Sequence, residues 1–168
     1  LSRRDFTVNA MALELDGKEN LFIDPHNGMQ DLIAKQLRTP GTPEQSFSDD
    51  PLRMMRAARF AAQLDFAIAP EVRVAIIEMA DRLQIISSER IRDEFLKSIK
   101  SSKNTKEYME MNDKIGFTSQ ILPNLKISKP YPKTNDHILF LAWILRKNSP
   151  IVLSKILNKI NYTKKEVL

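Results

Sequence analysis

A chain of 168 residues with 42% apolar and 28% charged side chains and a net charge of +5 has room for one sizeable domain or two small ones. Four glycines are too few for the turns of a sandwich or barrel, so a mostly helical fold is expected, and the absence of cysteine excludes disulfides and thiolate zinc sites. No apolar run approaches the roughly 18 residues of a membrane span, and no secretory signal pattern is visible, so no membrane partner is expected.

The first stretch, "SRRDFTVNAMALELDGKENLFIDP" (2–25), opens with a polar, arginine-bearing turn. Met11, Leu13 and Leu15 then alternate with Ala12 and Glu14, which predicts a strand. Asp16-Gly17 predicts a hairpin turn, and Leu21 to Ile23 the returning strand. "NGMQDLIAK" (27–35) predicts a short helix and "QLRTP" (36–40) a last extended piece. Two or three strands with one small helix cannot bury a sheet face alone. With a start at Leu1 and the ending "NYTKKEVL", this predicts a piece of a longer chain.

From Thr42 the pattern becomes helical. Helices are predicted near 50–64, 70–83, 88–100, 104–122 with a break near Gly116, 134–147, 150–160 and from 163 onward. Pro51 and Pro70 stand at helix starts, where a missing N–H costs nothing. "PNLKISKPYPKTND" (123–136) predicts a basic, proline-broken connector between two helical sub-bundles. Charge is uneven along the chain: residues 1–99 hold 13 Lys+Arg and 16 Asp+Glu, whereas residues 100–168 hold 13 and 5. The basic part fits a polyanionic partner or a lysine-rich solvated face.

The helix beginning at Pro51 carries the sharpest pattern. At about 100° per residue, Arg53, Arg56 and Arg59 fall within an arc of roughly 120°. Alanines, Met54, Met55 and Leu64 occupy most of the remaining circumference, and Phe60 falls inside the arginine arc. Asp49 or Asp50 suits the N-cap. Planar, bidentate donors suit a phosphate or a base edge, and the alternative is pairing with carboxylates elsewhere in the fold. A carboxylate beside an arginine can also copy a Watson–Crick partner. Asp50 would accept from the exocyclic amine of cytosine or adenine, and Arg53 would donate to the neighbouring acceptors. Uracil and guanine reverse that pattern, so the couple would favour C and A.

Five motifs then occur in order: "RRDFTVNAMA" (3–12), "DPHNGMQDL" (24–32), "LRTPG" (37–41), "SDDPLRMMRAARFAAQLDF" (48–66) and "SSERIRDEF" (87–95). Over about residues 1–100 the chain resembles the class II tRNA nucleotidyltransferases, the CCA-adding enzymes and their bacterial poly(A) polymerase relatives. The resemblance implies an α+β, predominantly helical fold: the C-terminal part of a nucleotidyltransferase head at 1–41, with a short β-hairpin and small helix, then a helical neck at 42–122 and a partial body and tail at 123–168. It implies nucleotide contacts from Arg4, Asp50, Arg53, Arg56 and Arg59, with Asp5 and Asn9 supporting them, and a structural role for "SSERIRDEF". The family often has glutamate where this chain has Asp49, which makes a base contact by Asp50 the expectation and not one by Asp49.

The implied activity of the full-length enzyme is template-independent addition of C and A to tRNA 3′ ends from CTP and ATP, with Mg²⁺, in the cytoplasm. The D-x-D pair that binds Mg²⁺ in the family is absent from these 168 residues. No catalytic or metal-binding residue is therefore expected here, and the piece alone is expected to be inactive. The rivals are an A-adding, C-adding or poly(A)-adding relative, a non-catalytic RNA-binding helical module, and a purely structural bundle. His26 and His137 lack metal-ligand spacing, Trp143 reads as core, and Gly17 and Gly28 read as turn residues. Tyr108 and Tyr131, among lysines, are possible surfaces for RNA stacking.

Overall fold

The computed structural model describes residues 1–15 and 20–159. Strands β1 (Ala12–Leu15) and β2 (Asn20–Ile23) pair antiparallel, with Ala12 opposite Ile23 and Leu15 opposite Asn20. That is the expected hairpin; its Asp16-Gly17 turn lies outside the described residues, as does the helix predicted from 163. Leu13, Leu15, Leu21 and Phe22 are exposed, so the two strands bury neither face fully. Helix α1 (Gly28–Ala34) follows, nucleated by the Asp24 carboxylate, which accepts from Gly28 N at 2.7 Å and Met29 N at 2.9 Å.

Gly28 opens this helix and does not serve as a turn residue. A Cβ there would lie 2.2 Å from the Thr7 carbonyl oxygen, so the close approach of α1 to the "RRDF" turn requires glycine. That turn continues into a 3₁₀ segment, Thr7–Asn9, and Thr7 N donates to Arg38 O at 2.8 Å.

Strand β3 (Gln36–Leu37) pairs parallel with β4 (Ala67–Ile68), a two-residue ladder too short to carry a periodic signal in the sequence. Between them lie α2 (Pro43–Asp49) and α3 (Leu52–Leu64). The expected single helix start at Pro51 is a junction of two helices. Thr42 caps α2 with its side chain and Pro43 takes the first position, a start signal of the ordinary kind. Asp50 is extended, ends α2, and accepts from Leu52 N at 3.3 Å as α3 begins.

Helices α4 (Pro70–Met79), α5 (Ser88–Ser101), α6 (Thr105–Lys114) and α7 (Phe117–Ile121) follow, with a 3₁₀ segment at Ala80–Ile85. Gly116, at φ +78°, makes the predicted break between α6 and α7. After the connector come α8 (His137–Leu145), capped by the Asp136 carboxylate, and α9 (Pro150–Lys159). One buried cluster runs from Phe6 to Leu157, and α3 lies at its centre, against α2, α5 and α6. Its alanines at 57, 58, 61 and 62 are buried, which is what lets those helices approach closely.

Two aromatic expectations are corrected. Trp143 is 44% exposed, its indole N–H donating to Pro130 O at 2.9 Å and the Arg146 guanidinium lying 4.0 Å from its ring centroid. Helix α8 is apolar nearly all round, so its sequence carries no contrast between faces. Tyr108 and Tyr131 are buried, not displayed to solvent, and the Tyr131 hydroxyl donates to Asp113 at 2.7 Å.

Candidate functional site

The "RRDF" turn and the first two turns of α3 meet through Asp5. This carboxylate is buried, and it takes Arg56 Nη2 on one oxygen at 2.6 Å and Arg53 Nε on the other at 3.4 Å. Arg53 also donates to Ser46 Oγ at 3.0 Å, to Ser46 O at 3.4 Å and to the Arg3 carbonyl at 2.7 Å. A guanidinium has five N–H donors, so four protein acceptors leave one donor over. Arg56 is less engaged: its side chain is a third exposed, and its Nε is enclosed with no acceptor.

Asn9 shapes the turn without entering this cluster, its side-chain oxygen accepting from Phe6 N at 3.2 Å. Arg3 and Arg4, the two residues before Asp5, are exposed. The result is a pair of arginines sharing one carboxylate, a local excess of positive charge suited to an anion. A cleft of about 160 Å³ adjoins the group, lined by Ser2, Gly41, Gln45, Ser46, Asp49 and Arg53 among others. A larger groove of about 610 Å³ between the β4–α4 segment and α6 is lined by none of the residues singled out in the sequence.

Arg59 is set apart from this group. It is 3% exposed, its Nε donates to Glu94 at 2.5 Å, and its Nη1 donates to Gln63 at 3.3 Å. Its guanidinium carbon lies 4.3 Å from the Phe60 ring centroid, and Phe60 meets Phe6 edge to face at 5.6 Å. Here the alternative of carboxylate pairing within the fold holds. A 120° arc on a helix is wide enough to place one of its arginines in the core.

Asp50 also differs from the expected couple. Its carboxylate accepts from Arg90 Nη2 at 3.2 Å to each oxygen, while the acceptors of Arg53 are Asp5, Ser46 and the Arg3 carbonyl. Ser46 and Arg90 are the functional neighbours that sequence reasoning missed. The α2 start signal at Thr42-Pro43 could have revealed Ser46, seven residues before Arg53; nothing local links Arg90 to Asp50. Among the described residues, no three His, Cys, Asp or Glu side chains converge to hold a metal ion, and no helix is long and apolar enough to cross a membrane.

Residues 1–38 match the Poly A polymerase head domain, and residues 65–128 match a family described as the probable RNA and SrmB-binding site of polymerase A. A CCA-adding enzyme of Lactobacillus johnsonii is 48% identical over 97 residues, 58% of this chain and 24% of that protein. One from Enterococcus faecalis is 46% identical over 99 residues, 59% of this chain and 24% of that protein. The chain thus spans about a quarter of the length of these curated relatives.

Among solved structures, the Bacillus stearothermophilus CCA-adding enzyme in complex with CTP superposes with a TM-score of 0.80 at 27% identity, covering 99% of this chain and 43% of that one. The Thermotoga maritima CCA-adding enzyme complexed with tRNA_CCA gives 0.81 at 22% identity, covering 99% and 45%, a likeness of fold.

Proposed function

Because the chain belongs to the family of CCA-adding tRNA nucleotidyltransferases and bacterial poly(A) polymerases, we propose that it forms the nucleotide-selecting and RNA-gripping part of a CCA-adding enzyme. The whole protein adds C and A to tRNA 3′ ends from CTP and ATP. The relatives named above are CCA-adding enzymes, and the solved neighbours include complexes with CTP, ATP and tRNA, which favours this reading over a relative that adds only one nucleotide. Its division into head (1–41), neck (42–122) and body (123–168) and its cytoplasmic location belong to the same proposal.

The observation that carries the reading is the Asp5 bridge. It turns Arg53 and Arg56 toward the "RRDF" segment, and Arg53 also lines the small cleft that Ser2 and Ser46 border. In this reading Arg4 and Arg56 hold the triphosphate, and the acceptor-less Nε of Arg56 marks a donor whose enclosure costs about 1–3 kcal/mol without a partner. Arg53 and Asp50 face the base, the former through its spare N–H and the latter through its carboxylate. Asp5 and Asn9 hold the arginines and the turn in place. Arg59 is assigned to the core.

These residues bind and orient; they do not supply metal chemistry. The Mg²⁺ implied by the family finds no ligand set among the described residues, and the 168 residues contain no D-x-D pair, so no step is assigned to a metal here. The piece alone is expected to bind nucleotide weakly and not to catalyse. The test is incorporation by the full-length enzyme on tRNAs lacking one, two or three terminal nucleotides. The first nucleotide added is expected to be A, C and C respectively; equal use of UTP and GTP would contradict the base-selecting role of Asp50 and Arg53.

A further inference from the structure

Helix α5 is tied to α3 and its leading edge by two ion pairs of opposite polarity, four residues apart on α5. Glu94 meets Arg59 in the core, and Arg90 meets Asp50 at the surface. Sliding α5 by one turn would bring Glu94 against Asp50 and leave the Arg59 charge buried without a partner, so the buried pair fixes the helix in its present register. The second pair is different in kind. Arg90 is 53% exposed, and a pair so placed adds little to stability.

What the second pair does is orient a carboxylate. Asp50 stands between α2 and α3 on extended backbone, and its carboxylate also accepts from Leu52 N at 3.3 Å. A single Arg90 nitrogen reaches both oxygens at the same distance, 3.2 Å. A carboxylate has about four acceptor lobes, so three contacts fix its rotation and leave one lobe open.

We infer that Arg90 is a positioning residue for base selection: it fixes the Asp50 carboxylate so that its open lobe meets the exocyclic amine of the incoming base, while Glu94 holds α5 at the height this requires. The inference rests on the reading of Asp50 as the base-facing acceptor given above. An unrestrained carboxylate would still accept from an amine, but it could also rotate away from a carbonyl, and rejection of the wrong base would weaken. Arg90 acts through Asp50 and touches no substrate.

The experiment uses the full-length enzyme and a tRNA lacking its three terminal nucleotides, with kcat/KM measured for CTP and UTP in wild type, Asp50→Ala, Arg90→Ala and Arg90→Lys. The expected result is a fall of about tenfold or more in the CTP/UTP ratio for Asp50→Ala and for Arg90→Ala, with part of the ratio restored in Arg90→Lys. Arg90→Gln serves in place of Arg90→Ala if that variant does not fold. A purely structural role would lower both substrates together and leave the ratio unchanged; that result, with Asp50→Ala still losing discrimination, overturns the inference about Arg90 alone. If Asp50→Ala keeps discrimination, the base-facing role of Asp50 fails, and the inference falls with it.

Discussion

Asp5 and Arg56 are joined at 2.6 Å across the junction of the "RRDF" turn and α3, and the other Asp5 oxygen faces Arg53. One buried carboxylate thereby restrains two of the three arginines that the sequence placed on a common edge. Electrostatically the arrangement is incomplete, since one negative charge serves two positive ones. That excess is useful at a site for a triphosphate and costly elsewhere.

Replacing Asp5 with Asn removes the charge and keeps the shape. Both guanidiniums would then be partly buried without a counter-charge. The expected loss of stability is about 2–4 kcal/mol, below the full cost of breaking a buried pair because the Arg56 side chain is a third exposed. Denaturant titration of the variant measures the loss, and nucleotide affinity should fall with it as the cleft opens.

Arg59 gives the opposite pattern. Its pair with Glu94 has both side chains under a tenth exposed, so Glu94→Gln or Arg59→Met alone should cost about 3–5 kcal/mol. The double variant Arg59→Met, Glu94→Leu should recover most of that loss. Nucleotide affinity of the folded double variant should stay within about twofold of wild type, because the apolar Met and Leu replacements keep α5 packed against α3 and neither residue faces the nucleotide. A double-mutant cycle with thermal unfolding and equilibrium nucleotide binding checks both statements.

The connector offers a pH-dependent test. Burial pushes the Asp113 carboxyl up, but hydrogen bonds from Lys129, Thr118 and Tyr131 outweigh it and hold the group below its ordinary value of 3.8. A carboxyl depressed in the folded state contributes stability that is present above 3.8 and is lost as pH falls through the lower folded value. Acidification from pH 5 to pH 3 should therefore loosen the connector where Lys129 and Tyr131 meet α6, and Asp113→Asn should flatten that dependence. Amide hydrogen exchange across residues 113–131 measures it.

The sequence was most informative where local chemistry decides structure. The Asp-Pro junction, the prolines at helix starts and Gly116 are backbone signals, and the helices they mark stand close to where they were expected. It was least informative where distant residues choose among equivalent options. Three arginines share a helix edge, but only the positions of Asp5 and Glu94, 48 and 35 residues away from their partners Arg53 and Arg59 in the chain, decide which face the cleft and which the core. The helix α2 was missed although Thr42-Pro43 announces it, since seven residues carry too little periodicity. Trp143 was misread because a helix apolar on every side does not say which side is covered.

The most direct measurement of the central claim is the affinity of the full-length protein for CTP and ATP when Arg53 is replaced by Ala, and by Lys as the charge-keeping control, with circular dichroism to establish that each variant is folded. Kd should rise by tenfold or more for Arg53→Ala, about 1.4 kcal/mol, and Lys should restore only part of it because it lacks the planar fork. Affinity unchanged in a folded Arg53→Ala variant would contradict a nucleotide site on this edge of α3.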